Sequence, residues 1–238
     1  MHFSDLPERV AERVAEVRGR IALAVGRGGH GQTVRIVAVT KTHGPEAVAA
    51  AVAAGIGDVG ENKVQEAIEK QDALQASGEM RGAVAWHLIG HLQTNKAKAL
   101  TRFALFHALD RDGLVNAVNA VGQGAAAVAP IDVLVQVNIA GERTKGGYAP
   151  DALAALAERL HRAAGLTVRG VMAMAPFEAD ERQLREIFAG ARAAREVLRA
   201  AGHPAEVLSM GMSGDYEVAV EEGATMVRLG TVLFGARS

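Results

Sequence analysis

Residues 35–62 read RIVAVTKTHGPEAVAAAVAAGIGDVGEN, and the order of patterns within this stretch decides the fold. RIVAVT, from Arg35 to Thr40, is a β-branched apolar run with the uninterrupted hydrophobicity of a strand covered on both faces. Pro45 then opens PEAVAAAVAA, an Ala- and Val-rich segment with proline in the first turn, where a helix tolerates it. The chain returns through glycines to a second short run at Asp58-Val59. Strand, helix and buried strand in succession make a parallel crossover unit.

The alternation continues outward. Helix NKVQEAIEKQDALQ leads to strand AWHLI, helix LQTNKAKAL to strand ALFHAL, and helix RDGLVNAVNAVG to strand IDVLVQVN. Helix PDALAALAERLHRA is followed by strand VRGVMAM, ERQLREIFAGARAAREVLRA by EVLSM, and DYEVAVEEG by TMVRLG. Roughly eight βα units predict an α/β protein built as one closed (β/α)8 barrel of the TIM type; an open doubly wound sheet usually has fewer strands at this length. Upstream, Leu6, Val10, Val14, Val17 and Ile21 recur every three or four residues, predicting an extra N-terminal helix from Ser4, as N-cap, to about Val25. A single domain over residues 1–238 is expected, with the helix and a loop in 1–33 and the barrel in 34–238.

Composition narrows the function classes. The 238 residues are 49% apolar, with no Cys, 27 Gly and 6 Pro, which excludes a disulfide scaffold, a collagen-like repeat and a disordered tail protein. Twenty-six basic against 27 acidic residues leave a net charge of −1, so neither a nucleic-acid coat nor a polybasic membrane anchor is expected. Small molecules are the expected partners. The charged N-terminus MHFSDLPERVAERVAEV lacks a signal h-region, and no apolar run reaches about 18 residues, which predicts a cytoplasmic protein. Without thiols, chemistry falls to Lys, His, carboxylates, hydroxyls or a borrowed cofactor.

In such a barrel the site lies at the C-terminal ends of the strands. Those positions hold Lys41, Glu61, Asn62, Gly90, His91, Asp110, Asn138, Met174, Ala175, the run Ser209–Ser213, and Gly230 with Thr231. Of six lysines, Lys41 alone directly extends an apolar strand run into the mouth, and so supplies the candidate amine for Schiff-base chemistry. Position alone also allows a lysine that merely reaches solvent. Gly211-Met-Ser-Gly-Asp and Gly230-Thr231 end the seventh and eighth strands, where barrels often hold a phosphate on backbone N–H groups, here with the Ser213 and Thr231 hydroxyls. Helix capping alone is the alternative.

Three motifs point elsewhere and do not hold. Gly55-Ile-Gly-Asp-Val-Gly60 matches G-x-G-x-x-G, but it follows a helix and enters a strand, the reverse of the dinucleotide fingerprint. His87 and His91 are four apart on a strand and turn, without the glutamate and helix of a zinc-protease motif, so no metal is expected. The Arg-rich stretch Arg182–Arg199 alternates with Glu and apolar residues, the pattern of a solvated amphipathic helix.

VAVTKTHGPEAV, GENKVQEA, WHLIGHLQTNKAK, VQVNIAGERTKGG, GVMAMAPF and LSMGMSGDYEVAVEEGATMVRLGTVLFGAR, spread from Val34 to Arg237, together resemble the pyridoxal-phosphate homeostasis protein family. The resemblance implies a fold-type III barrel like the N-terminal domain of alanine racemase, with pyridoxal 5′-phosphate carried as a Schiff base on Lys41. It further implies that Ser213, Gly230 and Thr231 hold the phosphate, that Arg228 of VRLG faces the pyridine nitrogen, and that Asn62, His91 and Met210 complete the cofactor site. A guanidinium at the ring nitrogen does not favour pyridinium, so a weaker electron sink than in transaminases is expected. His43 stands where many members have a second Lys, and Lys63 where an aromatic residue is frequent.

The implied function is cytoplasmic vitamin B6 homeostasis, buffering or delivering the cofactor without turnover. PLP-dependent apoenzymes are candidate recipients, and a monomer is expected. The alternative is an amino-acid racemase. With the chain ending at Ser238, no second domain is expected to supply an opposing base, and only Tyr148 and Tyr216 offer a tyrosine acid. A Schiff-base aldolase would use Lys41 and a phosphate site but leaves Arg228 without a role.

Overall fold

The computed structural model of the chain describes residues 5–78, 83–124, 128–142 and 146–235. Eight parallel strands close into a barrel in sequence order: β1 (Arg35–Val39), β2 (Asp58–Glu61), β3 (Ala85–Leu88), β4 (Leu105–Leu109), β5 (Ile131–Gln136), β6 (Leu166–Met172), β7 (Val207–Ser209) and β8 (Met226–Leu229). β1 seals the ring by pairing with β2 and β8, Val37 standing opposite both Asp58 and Arg228. The helices are α1 (Leu6–Gly28), α2 (Pro45–Ala53), α3 (Val64–Ser77), α4 (Asp112–Gly122), α5 (Leu153–Leu160), α6 (Glu181–Ala200), α7 (Tyr216–Glu221) and α8 (Thr231–Phe234). This is the (β/α)8 barrel with an added N-terminal helix that the alternation predicts.

On α1, Val10, Val14, Val17, Ile21 and Ala24 are buried, and the helix packs across α7, α2 and α8. Spacings of three and four place these side chains on one face, and each fully buried Val or Ile contributes about 1.5–3 kcal/mol relative to exposure. The helix begins at Leu6 behind Asp5, with proline in its first turn; the expected cap Ser4 lies outside the described residues. It stops at Gly29, whose φ of 70° lets its N–H return to the Val25 carbonyl. Among the described residues no helix is long and apolar enough to cross a membrane.

Three segments differ from the sequence expectation. β2 runs on to Glu61 because Gly60 and Glu61 pair with His87 and Leu88 of β3. Neither residue type favours a strand, so register supplies what local propensity does not. LQTNKAKAL is not an α-helix: Thr94–Arg102 forms a 3-10 helix in which only Ala97 and Leu100 are buried. Those two are three residues apart, the spacing at which 3-10 side chains eclipse, so the tighter winding buries both. The helix expected from Pro150 opens as a 3-10 turn, Pro150–Ala152, before α5 begins.

Candidate functional site

The C-terminal ends of the strands open on a cavity of about 630 Å³ lined by Lys41, Asn62, His91, Ser213, Arg228, Gly230 and Thr231. Met210, the eighth residue singled out in the sequence, is fully buried in the core, and the thioethers on the cavity wall belong to Met174 and Met212. Gly211, with φ of 93°, breaks the strand geometry between Met210 and Met212, so side-chain alternation does not carry past it.

Lys41 follows β1 by two residues, is half-buried, and makes no hydrogen bond or ion pair among the described residues. Its neighbours, in contrast, are held tightly. Lys70 on α3 is buried, and its Nζ donates to the Thr40 carbonyl at 2.8 Å, Glu61 Oε1 at 2.7 Å and Glu66 Oε1 at 2.8 Å. Thr40 Oγ1 donates to the same Glu61 oxygen at 2.6 Å, and the Thr42 N–H to Glu66 Oε1 at 2.6 Å. Thr42 has φ of 67°, alone among the described non-glycine residues in the left-handed region. That conformation costs about 1–2 kcal/mol and persists where its surroundings over-determine it. Lys41 therefore stands between two threonines tied to one buried ammonium. Burial pushes the Glu61 carboxyl up more than its bonds to Lys70 and Thr40 lower it. For Glu66 burial also raises the value, but Lys70 and the Thr42 N–H prevail and hold it down.

The β7–β8 side is built from main chain. Ser213 Oγ accepts the Val232 N–H at 3.2 Å, which ties the loop after β7 to the start of α8. The N–H groups of Ser213, Gly214 and Thr231 donate to nothing among the described residues. A Cβ on Gly230 would lie 3.2 Å from the Val39 carbonyl oxygen, so glycine keeps β8 close to β1 here. Between the two sides, buried Arg228 directs Nη1 to the Ser209 carbonyl and Oγ, both at 2.7 Å, and Nη2 to the Ala173 carbonyl at 3.0 Å. Its Nε has no partner among the described residues. Burial pushes its pKa down to about 10, opposed by the charge of Asp215, and the group stays cationic at neutral pH.

His91 sits at the rim, its side chain 63% exposed and 2.9 Å from Asp110 Oδ2. Asn62 is reached because Gly90 lacks a side chain: a Cβ there would lie 2.2 Å from the Asn62 carbonyl oxygen. His43 packs its ring against Phe234 at 5.3 Å, and exposed Lys63 precedes α3; neither lines the cavity. Gln136, Phe177 and Asp215 do line it, although sequence reasoning did not single them out. Gln136 ends a strand and could have been found that way, whereas the other two are brought in by loops. Gly55–Gly60 runs from α2 into β2, and His87 is buried in β3, away from the rim position of His91. Among the described residues no group of three or more His, Asp or Glu is arranged to hold a metal.

An unpartnered primary amine, a buried guanidinium and a patch of unspent N–H and hydroxyl donors fit a small phosphorylated aldehyde with a ring acceptor. The cavity volume is in the ordinary range for such ligands, about 300–1,000 Å³. The family model described as alanine racemase, N-terminal domain, matches residues 20–238. The pyridoxal phosphate homeostasis protein of Pseudomonas aeruginosa is 40% identical, over 96% of this chain and 96% of its own length. The chain belongs to the pyridoxal phosphate homeostasis protein family. Two PipY structures from Synechococcus elongatus, one without PLP and one with PLP bound, are similar to it at TM-scores of 0.83 and 0.81. They are 34% and 33% identical, over 95% of this chain and 100% of theirs. Alanine racemase from Corynebacterium glutamicum shares the fold alone, at 16% identity and a TM-score of 0.69, with this chain covering 61% of that one.

Proposed function

We propose that this protein binds pyridoxal 5′-phosphate covalently at Lys41 and stores or hands on the cofactor in the cytoplasm as a single-domain monomer, without substrate turnover. The observation that carries the reading is Lys41, a half-buried amine with no partner among the described residues, in a cavity that also holds Arg228 and the donor patch. The cofactor supplies an aldehyde, which condenses with a primary amine with loss of water. Lys41 presents that amine, and the Lys70 cluster fixes the backbone on either side of it. The Ser213 and Thr231 hydroxyls and the neighbouring N–H groups would hold the phosphate, with Asn62 and His91 lining the space for the ring. Arg228 would donate to a ring nitrogen while keeping its own proton, so electron withdrawal through the ring would stay weak. PLP-dependent apoenzymes are the recipients this reading implies.

One feature weighs against the racemase alternative. A second proton carrier would have to face the cofactor, yet Tyr148 donates to Asp112 Oδ1 at 2.9 Å, Tyr216 is buried beside Arg20, and neither lines the cavity. Borohydride reduction followed by peptide mapping should label the Lys41 peptide alone, and folded Lys41→Ala should take up no label. A folded Lys41→Ala protein that is still labelled would sink the assignment. With cofactor saturated, α-deuterium exchange on a panel of amino acids should not exceed that of free cofactor; exchange approaching about 1 s⁻¹, an ordinary enzyme turnover, would favour the racemase.

A further inference from the structure

Five polar side chains cross the barrel interior in a row that the cofactor reading leaves unused beyond Arg228. His87 Nε2 lies 2.9 Å from Asp58 Oδ1, and His87 Nδ1 lies 2.9 Å from His107 Nε2. His107 Nδ1 lies 3.0 Å from Ser209 Oγ, which accepts from Arg228 Nη1 at 2.7 Å. The row draws on β2, β3, β4, β7 and β8, and His87, His107, Ser209 and Arg228 are each no more than 5% exposed. Asp58 belongs to a different opening, a cleft it shares with Arg18 and Arg35, and it lies 3.4 Å from Arg35.

Buried donors and acceptors have to match, which fixes where each hydrogen sits. Arg228 can only donate. Ser209 Oγ takes that bond and has its own hydrogen to give, and His107 Nδ1 is the acceptor in reach. A neutral His107 then carries its proton on Nε2 and donates to His87 Nδ1. His87 likewise carries its proton on Nε2 and donates to the Asp58 carboxylate. The opposite sense would give Ser209 Oγ two donors, Arg228 and His107, and leave its hydrogen without an acceptor in the row. The charges agree with the first sense. Burial, with the cationic Arg228 and Arg35 adding to it, pushes His107 well below the usual histidine value, so it is neutral. Burial raises the Asp58 carboxyl, but the bond from His87 and the charge of Arg35 draw it the other way, and the balance lies below the ordinary carboxyl value, so Asp58 is anionic.

We propose that Asp58, His87, His107 and Ser209 form a one-way hydrogen-bond relay that positions the Arg228 guanidinium at the cavity from the far end of the barrel. Each acceptor is made more basic by the one beyond it, so the pull of the carboxylate is felt at Ser209 and strengthens its hold on Arg228. With Nη1 held in this way, the orientation of the guanidinium plane at the cavity is set. His87 and His107 are positioning residues. That the guanidinium meets a ring nitrogen rests on the cofactor reading above; the relay does not.

The test begins without cofactor, on protein carrying 15N-labelled histidine and arginine side chains. At neutral pH His87 and His107 should both appear as Nε2–H tautomers with bare Nδ1. An Nδ1–H tautomer of His107, or a doubly protonated His87, would overturn the relay. Asp58→Asn should shift the His107 and Arg228 side-chain resonances at unchanged folded fraction, and Asp58→Glu should restore part of the shift. Arg35→Gln removes the neighbouring ion pair but no link in the row, and should shift Arg228 far less than Asp58→Asn does. If Asp58→Asn leaves Arg228 unmoved, Asp58 is merely structural and the proposal fails. Adding pyridoxal phosphate separates the two readings: Asp58→Asn and Ser209→Ala should each displace the absorption band of the bound cofactor. Wild type that binds no cofactor while showing the expected tautomers would overturn the cofactor reading and leave the relay standing.

Discussion

The mouth of the barrel has two unlike sides. Around β1 and β2, Lys41 is placed by a charged cluster of one ammonium and two carboxylates that grips its two threonine neighbours, all joined within 2.6–2.8 Å. Around β7 and β8, the candidate phosphate groups are placed by main chain, with the Arg228 N–H on the Gly211 carbonyl at 3.0 Å and the Leu233 N–H on the Gly230 carbonyl at 2.9 Å. The two tasks proposed for these sides account for the difference. An amine that must meet one carbon needs its backbone fixed, and a buried ion cluster over-determines a strained turn. A phosphate needs many donors free of competing acceptors, and backbone N–H groups supply these at any side-chain identity small enough to admit the ligand. One side is thus open to damage by single charge changes, the other chiefly by added bulk.

The largest stability effect should come from Lys70→Met. It leaves the buried Glu61 and the half-buried Glu66 carboxylates facing each other without their cation, and removing one partner of the buried Lys70–Glu61 pair costs about 3–5 kcal/mol. Urea unfolding of Lys70→Met, and of Lys70→Met with Glu61→Gln, measures it, and the double variant should recover part of the loss. A single-variant loss within about 0.5 kcal/mol, the scale of an ordinary surface substitution, would remove the contrast between the two sides.

On the other side, Ser213→Ala and Thr231→Ala should leave stability near wild type and weaken retention of the phosphorylated cofactor by about 1–3 kcal/mol each, the scale of hydrogen bonds to a charged group. Pyridoxal lacking the phosphate should be nearly indifferent to both changes. Equal losses for the two ligands in a competition titration would mean that these residues serve the ring or the fold.

An exposed ion pair calibrates the buried cluster. Asp112 accepts from Arg159 and from the Tyr148 hydroxyl, and chiefly the Arg159 bond lowers its pKa to about 2. A carboxyl with a depressed folded value stabilises above its unfolded pKa and loses that stabilisation as pH falls through the folded one. The advantage of wild type over Asp112→Asn should be flat above about pH 4, fade toward pH 2, and stay below about 1 kcal/mol because the pair is exposed. Denaturant titrations across that range check both the sign and the size. An advantage as large as that of Lys70 would show that burial is not what makes the inner cluster strong.

The sequence displayed most of the barrel because β1, β4 and β5 are apolar runs and α1 and α6 have clean helical periods. β2 was half hidden: its last two residues, Gly60 and Glu61, owe their strand geometry to β3, and Glu61 is tolerated inside because Lys70 reaches it from α3. Nothing local announces a contact between residues 61 and 70. Lys41 was legible because a strand-end lysine after RIVAVT stands out, and Ser213, Gly230 and Thr231 because glycine and hydroxyls cluster there. Met210 shows the limit of reading by adjacency, since a positive φ at Gly211 separates it from the wall its neighbours line. By spacing along the chain, His87 pairs with His91, four residues on. Its actual partners, Asp58 and His107, lie 29 and 20 residues away, and only closure of the strands brings them together.

That closure bears on concentration as well as geometry. A protein that holds a small molecule one for one has a capacity set by how much of it is present, so its purpose favours abundance. In an open sheet abundance is a hazard, since the outermost strands expose unpaired N–H and C=O groups on which another chain can build. Here β1 is hydrogen-bonded to β8 as well as to β2, and the ring has no outermost strand. The same bonds that gather eight strand ends into one mouth also leave no template for strand-by-strand aggregation.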